Sequence, residues 1–259
     1  MRFSIIAMLS LCIGLATPGS AQTWKDIFGQ VTGAHGRSGD AHHVVDENEA
    51  ARGLKQALEI GARSAIARAS KKNGFFGNPL IRIQLPKTIR STGKVLRRIG
   101  LGTAVDRFDR AMNRAAEQAS SKALPILTDA VKGLTIKDAL SILRGGHTAA
   151  TDFLRMKTSD RLRKELKPII TAAMQQTGVT HRYEQLMDQA GPFLQITGQQ
   201  PQHLDDYVTD QTLAGLFTLI AQQETKIRTD PVARTTRLLK KVFGSLTKTT
   251  AQQRSSRRD

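Results

Sequence analysis

Only one stretch of this chain reads as a strand. Leu80, Ile81, Ile83 and Leu85 crowd into six residues and stop at Pro86, too short a run to found a sheet. It is read as an extended crossing segment with Phe75 and Phe76 buried beneath it. Everywhere else the apolar residues recur at helical spacing between turn signals. Aromatic residues are only 5%, while Ala, Leu, Gln, Lys and Arg are plentiful, a mixture that favours helices over strands. The expected fold is therefore all-α, a single multi-helix domain of about nine or ten helices without a substantial sheet. No fixed-period repeat is present, which disfavours a solenoid.

The chain divides into four parts. Arg2, the apolar run Ile5 to Leu15 and the small residues Gly19-Ser20-Ala21 read as a secretory signal peptide over residues 1–21, cleaved near Ala21. The run is too short to span a bilayer. The only cysteine, Cys12, lies inside it and would leave with it, and Leu11 before it disfavours lipidation. Residues 22–46 read as a short amphipathic segment, with Trp24, Ile27, Phe28 and Val31 on one face, followed by a flexible linker. Either it docks on the body or it meets a membrane or partner. Residues 47–244 form the helical domain, and residues 245–259 a basic tail expected to be disordered.

Within the domain, Leu54, Leu58, Gly61, Ala62, Ala65 and Ala69 keep one small-residue face for close packing. A further helix from about 103 to 121 has Val105, Phe108, Met112 and Ala115 inward and a polar stripe of Asp106, Arg110, Asn113 and Glu117, with Asp106 and Arg110 one turn apart. Helices are expected at 123–132, 136–144, 148–157, 160–176 and 180–190, separated by Gly133, Gly145-Gly146, Thr158-Ser159-Asp160 and Gly178. A loop to Pro201 and a long helix at 204–229 follow. Asp230-Pro231 then opens a last helix to Phe243.

The formal net charge is +17, and it is concentrated. From Arg52 to Arg98 there are twelve Lys and Arg residues against a single acid, Glu59. Following Pro86, Lys87, Arg90, Lys94, Arg97 and Arg98 fall on one face of a helix at 100° per residue, with Ile89, Val95, Leu96 and Ile99 opposite. Such a face is either simply solvated or meets an anionic partner.

Catalytic templates are missing. The chain has no Gly-x-Ser-x-Gly elbow, no phosphate-binding loop and no His-Glu-x-x-His. His147, His181 and His203 lie in or beside turns. His181 and Glu184 lack the second pair that a helical di-metal site needs, and His42-His43 with Asp46 and Glu47 would catch an ion only adventitiously. Gly145-Gly146 is a helix corner more readily than an anion cradle. Asp106, Asp109 and Glu117 share their helix with Arg107, Arg110 and Arg114, so salt bridges explain them better than acid–base catalysis. No catalytic residue, metal or cofactor is assigned, and enzyme activity is left open, leaning against.

Five segments, GFFGNPLIRIQLP (Gly74–Pro86), VDRFDRAMNRAAE (Val105–Glu117), ILRGGHTAAT (Ile142–Thr151), LDDYVT (Leu204–Thr209) and ARTTRLLKKVFG (Ala233–Gly244), together resemble an exported, uncharacterised Gram-negative bacterial family of unknown function over Glu49 to Gly244. The resemblance implies an all-helical periplasmic or envelope protein and supplies no activity. It associates an acid with the position of His147, and that departure weakens any catalytic role there.

The expectation is a periplasmic or secreted, non-enzymatic binding protein whose basic face meets an anionic envelope surface, phospholipid or lipopolysaccharide, or an acidic protein. Nucleic acid is disfavoured, because no aromatic ladder accompanies the charge. The alternative is a small-ligand carrier or enzyme with a pocket at Phe75, Phe76, Asp109, Asn113 and Arg114. A deep cavity there would favour it and a solid core would argue against it. Sequence leaves the oligomeric state open.

Overall fold

The computed structural model describes residues 45–87, 89–90, 97–98, 100, 102–176, 178, 180–181, 183–185, 187–188 and 203–244. The expected leader at 1–21, the segment before Val45, Lys94, the expected 191–201 loop and the expected 245–259 tail lie outside them. Among the described residues no strand occurs. Six α-helices are bounded: α1 (Glu47–Ala69), α2 (Gly102–Ser120), α3 (Ala123–Lys132), α4 (Ile136–Arg144), α5 (Ala149–Gln176) and α6 (Leu204–Thr229), with a 3-10 turn at Pro231–Ala233. Residues 87, 89–90, 97–98 and 237–244 are also helical.

The all-α class holds, but nine or ten helices slightly exceeds the count among the described residues. One reason lies at Thr158-Ser159, which reads as a boundary yet sits inside the continuous helix α5. Their hydroxyls donate to carbonyls one turn back, Thr158 to Leu154 and Ser159 to Arg155, both at 2.7 Å. A back-bonded hydroxyl serves the helix interior rather than capping a new helix. The C-terminal stretch errs the other way. Pro231 opens only a 3-10 turn, and the helix at 237–244 starts afresh, with the Thr236 hydroxyl accepting from the Leu239 N–H at 3.2 Å.

Local signals fix the other ends. Asp46 caps α1 by accepting from the N–H groups of Asn48 and Glu49. Thr135 and Asp138 form a reciprocal capping box at α4. Asp138 is thereby held below the ordinary carboxylate range by hydrogen bonds from Thr135.

The long helices α5 and α6 pack together, α1 lies on α6, and α2 on α5, while α3 and α4 close against α1. Phe75, Phe108 and Phe217 are almost wholly enclosed, each contributing roughly 1.5–3 kcal/mol of burial. Close approach depends on glycine at two contacts. A Cβ on Gly53 would stand 2.6 Å from Val242 Cγ2, and one on Gly215 would stand 2.7 Å from Phe75 Cε1 and 3.2 Å from Ile81 Cβ. Gly215→Ala is expected to destabilise the fold by about 1–3 kcal/mol, read from urea unfolding. An unchanged midpoint would mean that the Phe75 ring yields freely.

Candidate functional site

Of the five basic residues after Pro86, Lys87, Arg90, Arg97 and Arg98 are described, and all four are exposed. Ile89 between them is fully buried, so Lys87 and Arg90 face solvent because the opposite side anchors to the core. Arg97 is engaged: its Nη2 donates to Asp106 Oδ1 at 2.6 Å and its Nη1 to Oδ2 at 3.3 Å. That pairing raises the Arg97 pKa and lowers that of Asp106. A lowered carboxyl contributes stability above its ordinary pKa and loses it as pH falls through the lowered value, so this link weakens only in acid. The expected Asp106–Arg110 partnership is thus displaced by Arg97.

Lys87, Arg90 and Arg98 form no ion pair among the described residues, and the same holds for exposed Arg63, Arg68, Lys71, Lys72 and Arg107. For Lys71, Lys72, Lys87, Arg90 and Arg98 the reason is compositional: no acid occurs between Glu59 and Asp106, so the chain within one helical turn of each offers nothing to pair with.

The five candidate pocket residues belong to one assembly of a different kind. Phe75 is buried against Gly215. Phe76 is only half-buried, contrary to expectation, and the guanidinium groups of Arg82 and Arg110 stand over its ring at 4.4 and 5.6 Å. Asn113, fully buried, clasps the extended segment as a neighbouring strand would. Its Oδ1 accepts from the Ile83 N–H at 2.8 Å, and its Nδ2 donates to the Ile83 carbonyl at 3.0 Å. One turn on, buried Glu117 accepts from the N–H groups of Asn73, Phe75 and Phe76 at 3.2, 3.1 and 3.2 Å. Arg114 pairs with Glu117 and donates to Asn73 Oδ1 at 2.8 Å, and Asp109 pairs with Arg82.

This cluster therefore spends its polar atoms on the protein's own backbone. It holds Asn73 at φ 66°, a left-handed conformation that costs a side-chain-bearing residue energy. It also replaces the sheet partners that Ile83 lacks. Two open grooves, of about 670 Å³ beside Arg163, Lys167 and Asp206 and about 500 Å³ beside Asp46, Arg52 and Ile136, border neither Asn113 nor Glu117. In the larger one two of the three cations are paired with acids, Arg163 with Asp206 and Asp210, Lys167 with Asp205 and Asp206.

The glycine corner 145–146 joins α4 to α5, and the protein supplies its own anion there. Buried Glu224 accepts from the N–H groups of Ala150 and Thr151 at 2.9 and 2.8 Å and from the Thr151 hydroxyl at 2.7 Å. Arg228 links Glu224 to the Ile142 carbonyl at the end of α4. Arg234, also buried, donates to the Ile227 and Arg228 carbonyls at the end of α6, and burial lowers its pKa. Sequence reasoning missed Glu224 and Arg234. Only the basic residue placed just past Asp230-Pro231 hinted at the second.

His147, His181 and His203 are exposed. Among the described residues no group of three or more His, Cys, Asp or Glu side chains could hold a metal, and no helix is long and apolar enough to cross a membrane.

Fold and surface together define a helical domain whose buried Glu117 and Glu224 are spent on its own backbone, with Lys87, Arg90 and Arg98 exposed and outside any ion pair among the described residues. Residues 44–244 match the family described as "Protein of unknown function (DUF4197)", and the chain belongs to that family. No curated protein and no solved structure matches it.

Proposed function

We propose that this chain is exported through its 1–21 leader and acts as a non-enzymatic binding protein of the bacterial envelope. Its basic face meets the phosphates of an anionic lipid surface, phospholipid or lipopolysaccharide. The observation that carries this reading is the set of exposed cations, Lys87, Arg90 and Arg98 first, that find no acid among the described residues. Arg97 belongs to the face in sequence but serves Asp106 in the fold. A Lys or Arg near an anionic membrane contributes on the order of 1 kcal/mol. Three together give roughly a hundredfold in affinity.

The chain from Gln22 should co-sediment with anionic vesicles and not with neutral ones, and the bound fraction should fall steeply as salt rises. No binding at low salt would refute the lipid reading and turn attention to an acidic protein.

A further inference from the structure

The loop between Phe75 and Pro86 carries an exposed apolar tip. Leu80 is 60% exposed although Ile81 next to it is buried in the core, and Pro79 beside it is exposed as well. A lone exposed leucine is ordinary; its surroundings here are not. Among the other exposed large apolar side chains, Ile136 lies beside Asp46 in the smaller groove, and Val232 donates its N–H to Asp230. Met156 has Asp152 and Asp160 one turn to either side on α5. Leu80 instead sits in the stretch from Ile60 to Val105 that contains no acid. Lys71 and Lys72 precede its loop and Lys87 and Arg90 follow it, all four exposed and outside any ion pair among the described residues, while Arg82 is held by Asp109.

The tip is also stiff. Asn78 turns it, its Oδ1 accepting from the Leu80 N–H at 3.2 Å and its carbonyl from Ile81 and Arg82 at 3.1 and 2.8 Å. Glu117 pins one limb, Asn113 clasps the other at Ile83, and the Tyr207 hydroxyl donates to the Gln84 carbonyl at 2.8 Å. A tip already ordered loses little conformational entropy when it enters another phase.

We infer that Pro79-Leu80 enters the headgroup layer of an anionic phospholipid bilayer while the flanking cations engage the phosphates. This rests on the lipid reading above and narrows it, because a soluble polyanion offers the cations the same charge but the tip nothing. Phe76, with Arg82 and Arg110 over its ring, stands at the boundary depth where an apolar body and a charged edge are both solvated.

The test places a lone tryptophan at the tip. In the chain from Gln22, which keeps every described residue, Trp24→Phe removes the native tryptophan and Leu80→Trp supplies the probe. Its emission should shift to the blue with anionic vesicles and stay fixed with soluble polyphosphate at equal phosphate concentration. Leu80→Ser should weaken vesicle binding roughly tenfold and leave polyphosphate binding unchanged. Vesicle binding with unshifted emission from the tip probe and an unaffected Leu80→Ser would overturn the tip and leave the charge reading standing. Failure of the parent chain to bind vesicles at all would overturn both.

Discussion

Glu117→Ala should cost about 3–5 kcal/mol of folding stability, the range for removing one partner of a buried ion pair. Three backbone N–H groups and the Arg114 guanidinium converge on this carboxylate, which is 3% exposed. Removal leaves buried donors unpaired and a partly buried cation without its counter-charge. For a body of this size each kcal/mol is about 2–4 °C in melting temperature, so the midpoint should fall by about 6–20 °C. Glu117→Gln keeps one acceptor oxygen and should lose less. Thermal and urea unfolding by circular dichroism read both. The sign matters for function as well. Were Glu117 kept for a bound ligand or a reaction, relieving that site would leave stability unchanged or raised. A large loss instead assigns the carboxylate to holding the loop.

The second large effect concerns binding. Lys87→Glu, Arg90→Glu and Arg98→Glu together replace three attractions by three repulsions at one face. At about 1 kcal/mol per charge near the membrane, the change amounts to several kcal/mol, and affinity for anionic vesicles should fall at least a hundredfold. All three side chains are exposed and without an ion pair among the described residues, so the unfolding midpoint should move little. Arg97 is left intact in this variant, since reversing it would set a carboxylate against Asp106 and confuse stability with binding.

Much of the architecture could be read from spacing and turn residues. The ends of α3, α4 and α6 fall where Gly133, Thr135, Gly145 and Asp230 put them, because caps act over three or four residues and are visible in sequence. Thr158-Ser159 misled for the complementary reason. A hydroxyl caps a helix or bonds back into one, and the choice depends on whether Leu154 and Leu162 on either side find a core to join. The polar stripe of α2 was legible as a stripe but not as two halves. Asp106 points to solvent and Arg97, whereas Asn113 and Glu117 turn inward because the segment 73–85 crosses there and needs donors and acceptors. These partners lie 30 to 44 positions apart in sequence, beyond the reach of periodicity. Glu224, whose partners at Ala150 and Thr151 are more than 70 positions away, stayed hidden for the same reason. The exposed cations Lys87, Arg90, Arg97 and Arg98 were legible in sequence as a basic run free of acids. Which of its members are spent internally was not.

The most direct measurement sets the triple reversal at Lys87, Arg90 and Arg98 beside a second one, Lys132→Glu, Lys137→Glu and Lys240→Glu. These three residues are exposed as well, and they lie at the end of α3, the start of α4 and the C-terminal helix. Both variants change net charge equally, so titration of each against anionic vesicles at low salt separates a face from a bulk charge. At least a hundredfold loss in the first and a far smaller change in the second is the predicted result. Equal losses in the two, or none in the first, would contradict a localised lipid-binding surface.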